Sequence, residues 1–103
     1  MSYQGVMRLA EEHRLSKPSP VTPQVDWLRV VKGCHEEALR CGGARFAGAW
    51  VRERVGWFPG LRPLARYGIL VPEGEPTRGG ARRYWRMPDP DGVARALREL
   101  GYL

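Results

Sequence analysis

The chain has 103 residues, 43% of them apolar, with four tryptophans, two cysteines and a formal net charge of +6. That length suits one small domain with a modest core, and no apolar run approaches the roughly 20 residues needed to span a bilayer. Arg8, Glu11 and Glu12 stand where a secretory leader would need an apolar run, so the expectation is a soluble, cytoplasmic protein without membrane partners.

The charge is unevenly placed. Residues 1–44 balance to +1 and residues 89–103 to −1, whereas residues 45–88 carry nine arginines against Glu53, Glu73 and Glu75. Arginine accounts for 15 of the 17 basic residues, so compositional bias explains the residue type but not its concentration in one segment. A localised cationic excess is what contact with a polyanion requires, because affinity grows with each phosphate neutralised.

In chain order, Tyr3, Val6, Met7 and Ala10 recur at helical spacing, predicting a short amphipathic helix that must dock on its own domain or on a second subunit. The segment from Ser16 to Val21 holds Pro18 and Pro20 and reads as an extended linker. Thr22 followed by Pro23 predicts a helix start. Trp27, Val31, Cys34, Ala38 and Cys41 then form one apolar stripe, and Gly42-Gly43 predicts a left-handed helix end. A helix is predicted over 46–55, its apolar face made of Phe46, Ala47, Trp50, Val51 and Val55, with Arg45, Arg52 and Arg54 elsewhere on it. Gly56 closes it. Of Trp57 and Phe58 in the following turn, at least one should plug the core.

A short helix over 61–67 points Leu61 and Leu64 inward and puts Arg62 and Arg66, four apart, on the opposite face. Ile69, Leu70 and Val71 predict a strand, residues 73–82 a Gly- and Arg-rich loop carrying Arg78 and Arg82, and residues 83–87 a return strand that starts at Arg83. Alternation on that strand buries Trp85 and Met87 and leaves Tyr84 and Arg86 outside. Asp89-Pro90 starts a last helix with Val93, Leu97 and Leu100 as its stripe and Gly101 as its stop. The pieces sum to a mainly α fold with a small β-hairpin, in the order of a winged helix-turn-helix. Residues 1–21 form an N-terminal helix and proline-rich linker, and residues 22–103 the winged-helix domain.

The spacing Leu61-x-x-Leu64-x-x-x-Gly68-Ile69-Leu70 resembles the end of the recognition helix in bacterial regulators of the MarR and PadR kind. The run from Gly79 to Met87, with Asp89 and a final helix after it, resembles the PadR-type wing. The resemblance implies a double-stranded-DNA-binding domain, with Arg62 and Arg66 near the major groove and Arg78, Arg82 and Arg83 along backbone or minor groove. With Arg45, Arg52, Arg54 and Arg86 these make up the expected nucleic-acid-binding set. The predicted recognition helix has only about two turns and lacks the Ser, Thr, Asn or Gln that commonly reads bases beside arginine, which favours shape and phosphate contacts.

Other chemistry is weaker. Cys34, His35 and Cys41 lack a CxxC pair and a fourth ligand, and a disulfide would have to span two helical turns, about 10 Å. They read as two core cysteines and a surface histidine, without a metal. His13 reads as solvated. No nucleophile motif or phosphate loop marks an enzyme or a cofactor site. The tryptophans read as core, with a stacking platform of Trp57, Phe58 and Tyr84 for single-stranded nucleic acid as the alternative. Also open are RNA in place of DNA, docking on an acidic protein partner, and a homodimer through the terminal helices.

Overall fold

Residues 2–15, 25–74 and 84–103 are described by the computed structural model, with the backbone alone for 13–15. The expected linker, the side chain of His13, and Arg78, Arg82 and Arg83 lie outside the described residues. The helix expected to start at Thr22-Pro23 begins only at Trp27, because the Asp26 side chain caps it there and Val25 and Asp26 are not helical.

The chain runs α1 (Ser2–Leu15), α2 (Trp27–Arg40), β1 (Phe46–Ala47), α3 (Gly48–Val55), α4 (Arg62–Arg66), β2 (Val71–Glu73), β3 (Tyr84–Arg86) and α5 (Pro90–Glu99). The three strands form one antiparallel sheet in the order β1-β3-β2. Mainly helical with a small antiparallel sheet is the observed class.

Local chemistry sets the helix ends. The Asp26 carboxylate accepts from the Arg29 amide at 3.2 Å to open α2, and Asp89 accepts from the Gly92 amide at 3.1 Å to open α5. Three helices close the same way. Gly42, Gly68 and Gly101 take positive φ after α2, α4 and α5, and the next amides reach back to Ala38, Leu64 and Leu97 at 3.0, 3.1 and 2.8 Å. This six-to-one closure occupies carbonyls that the helix leaves unpaired, and glycine adopts the left-handed turn without steric cost.

One core unites the helices and the sheet. Val6 and Leu9 of α1, Val31 and Cys34 of α2, Phe46, Val51, Phe58, Leu64, Ile69, Val93 and Leu97 are all fully buried. The apolar face of α1 is thus spent on its own chain, against α5 and α2. Helices α2 and α3 approach closely because position 33 lacks a side chain. A Cβ there would stand 2.7 Å from Val55 Cγ1 and 3.2 Å from Val51 Cγ1.

Several predicted boundaries move. Phe46 and Ala47 are extended, not helical, because they pair with Trp85 and Tyr84 across the sheet, and α3 starts only at Gly48. The first hairpin strand begins at Val71, since the Ile69 amide is engaged in closing α4 and Ile69 and Leu70 are buried ahead of the ladder. Helix α4 has five residues, between Leu61 and Tyr67 as caps. Trp85 and Met87 are buried as the alternation predicts, and Phe58 plugs the core beneath its turn.

Three expectations about side chains are corrected. Trp50 is 37% and Trp57 65% exposed, while Phe46 and Phe58 are the aromatic rings of these segments that enter the core. Trp27 is only half-buried. His35 is buried beside α5 rather than on the surface. Its burial pushes the imidazole pKa down, against the opposing pull of Glu36 and Asp91. Both cysteines are free. If α1 is as integral as its burial indicates, Leu9→Ala lowers unfolding stability by about 2–5 kcal/mol, as deletion of a core leucine does. Urea denaturation checks this, and a loss under about 0.5 kcal/mol would mark α1 as an appendage.

Candidate functional site

The arginines predicted from sequence sort into three environments. Arg62 and Arg66 are exposed on α4, and among the described residues neither forms an ion pair. Leu61 and Leu64, buried on the other side, fix which way that short helix presents them.

Arg52 belongs to the same region by a different route. Its guanidinium donates to the Phe58 carbonyl at 3.2 Å and the Pro59 carbonyl at 3.3 Å and lies 5.0 Å over the Phe58 ring. These partners are neutral, so Arg52 is positioned without its charge being cancelled. It lines a groove of about 430 Å³ together with Gly48, Phe58, Leu61, Arg62 and Trp85. Gly48 and Ala49, at the start of α3, also reach the groove, and Ala47 provides no side-chain cap there. The positive end of the α3 dipole and two guanidinium groups therefore share one cleft, an arrangement favourable to an anion.

On the sheet, Arg45 stacks 4.3 Å over the Tyr84 ring, and among the described residues it forms no ion pair. Arg86 is tied to Glu73 at 3.4 Å, both side chains being a little over 40% exposed. Such exposed pairs contribute little and exchange readily for another anion.

Arg54 stands apart from this set. It donates to Glu37 at 2.6 Å and Glu36 at 2.9 Å, and Glu37 also accepts from Arg40 at 2.7 Å. These charges fasten α3 to α2, and Arg40 in turn lies 5.1 Å over Trp50. Arg54, expected among the phosphate contacts, has its charge paired within a carboxylate clamp. Glu37 is nearly buried, at 4% exposure; its partner Arg40 stands one turn on, but the pairing with Arg54, 17 residues on, has no local signal in the sequence. Burial pushes the Glu37 carboxyl up, but the hydrogen bonds and positive charges of Arg54 and Arg40 prevail and hold it below the usual range.

Among the described residues, no group of three or more His, Cys, Asp or Glu side chains could hold a metal ion. Burial pushes the Cys34 thiol far up, which leaves it inert. No described helix is long and apolar enough to cross a membrane. The chain matches no family model, no curated protein and no solved structure.

The Glu37 clamp sets an acid limit. A carboxyl whose folded pKa lies below its unfolded value stabilises the fold above the unfolded pKa and loses that contribution as pH falls through the folded one. Stability therefore holds through neutral pH and declines below about pH 4. Glu37→Gln costs about 1–3 kcal/mol at pH 7 and flattens that decline. Denaturant titrations of both proteins at pH 3 and pH 7 check this, and an acid limb unchanged by the substitution would remove Glu37 as its source.

Proposed function

We propose that this chain is a winged helix-turn-helix protein that binds double-stranded DNA, chiefly through phosphates and duplex shape. The observation that carries the reading is the cluster of guanidinium groups that meet no carboxylate among the described residues, Arg52 and Arg62 in one groove with Arg66 on the same short helix as Arg62, beside the uncapped start of α3. The order helix, strand, two helices and hairpin, with β1 paired to the far strand of the hairpin, supports the winged-helix reading. Arg45, held over the Tyr84 ring, adds a cation on the outer face of the sheet, and Arg78, Arg82 and Arg83 would add to the positive charge of this segment.

A five-residue α4 offers few side chains to base edges, so modest sequence specificity goes with the proposal. Small transcriptional regulator or accessory DNA-binding factor are the roles that fit. The exposed Trp57 favours a second reading, docking on a protein partner.

Fluorescence anisotropy with a labelled duplex over a salt series tests the proposal. Affinity should fall steeply with salt, with a log–log slope near −0.9 for each phosphate contacted. Arg62→Ala and Arg66→Ala should each lower the slope by about one, whereas Arg54→Ala should leave it unchanged. No duplex binding at 50 mM salt (a roughly physiological-or-below condition) would overturn the proposal. Tighter binding of an RNA duplex in competition would redirect it to RNA, and capture of a protein partner without any DNA shift would select docking.

A further inference from the structure

The end of α4 is held by a part of the chain far from it in sequence. The Ser2 hydroxyl, on a residue 3% exposed, donates to the Gly68 carbonyl at 3.2 Å. The Tyr67 hydroxyl donates to the Glu12 carboxylate. Between these two tethers the α1 backbone rides directly on the α4 cap: a Cβ at Gly5 would stand 2.1 Å from the Tyr67 carbonyl oxygen and 3.4 Å from Ile69 Cγ1. No side chain fits there without displacing backbone.

The other side of α1 is anchored independently of α4. Arg95 of α5 lies 4.5 Å over the Tyr3 ring, and the Tyr3 hydroxyl donates to Glu99. Val6 and Leu9 complete the anchor in the core. A five-residue helix has little rigidity of its own, since most of its backbone groups lie in its first or last turn. Its orientation must be imposed from outside.

We infer that α1 is a positioning strap for α4, with Gly5, Ser2 and Glu12 setting the presentation of Arg62 and Arg66 without touching the ligand. The inference rests on the proposed nucleic-acid contact of α4 for its functional consequence, while the mechanical coupling stands on the α1–α4 contacts alone.

Two measurements on the full chain separate these parts. Hydrogen exchange reads the coupling: in Gly5→Ala, the Gly68 and Ile69 amides, which close α4, should exchange faster than in wild type, while the Leu100 and Tyr102 amides, which close α5, keep their wild-type exchange. Equal exchange at Gly68 and Ile69 overturns the inference whatever the protein binds. Duplex binding reads the consequence: Gly5→Ala should weaken it by about 3- to 10-fold, but by less than about twofold in an Arg62→Ala/Arg66→Ala background. An equal loss in both backgrounds would mean that α1 acts through another surface, and an unchanged Kd with a lowered Tm would reduce α1 to scaffold. Should Gly5→Ala fail to fold, Ser2→Ala/Glu12→Ala removes both tethers, spares the core, and should show the same pattern. If wild type binds no duplex, the proposed function fails, and exchange at Gly68 and Ile69 alone decides the strap.

Discussion

The pairing of Phe46 and Ala47 with Trp85 and Tyr84 is the constraint on which the remaining geometry depends. It joins two segments about forty residues apart and places the start of α3 against the hairpin. Through it Trp85 becomes a wall of the groove that also holds Arg52 and Arg62, and Arg45 comes to lie over Tyr84. Two paired residues contribute few hydrogen bonds. Their weight comes from burial, since Phe46 and Trp85 are both in the core and cannot slip in register without exposing an aromatic ring.

Charge is used in two opposite ways in this small chain. Around Glu37 the guanidinium groups of Arg40 and Arg54 are neutralised and serve adhesion between α2 and α3. At the groove Arg52 is restrained by carbonyls, and on the sheet Arg45 by a ring, so both are ordered by partners that carry no charge. Orientation without neutralisation lowers the entropy lost when an anion is bound, which is why this group carries the proposed function and Arg54 does not.

Much of the fold was legible because it rests on short-range chemistry. Asp89 with Pro90, the glycines at 42, 68 and 101, and the alternation that buries Trp85 and Met87 act over a few residues, and each does what its pattern predicts. The outward face of α4 was legible for the same reason, as Leu61 and Leu64 leave Arg62 and Arg66 only one side to occupy. Patterns that two structures share misled. Phe46 and Ala47 satisfy an apolar helix face and an inward strand equally well, and only the partner strand decides between them.

By itself, then, the sequence determined where the helices end at glycine and where α5 begins, which stripes turn inward, and that the positive charge is concentrated between residues 45 and 88. Tertiary structure alone decided that Glu37 takes Arg54 out of the cationic set, that Trp57 stays outside while Phe58 goes in, and that Gly5 lies against the cap of α4. The physical reason is range: caps and stripes are settled by neighbours one or two turns away, whereas a buried carboxylate, an aromatic plug and a backbone-to-backbone contact are settled by whichever distant segment packs against them.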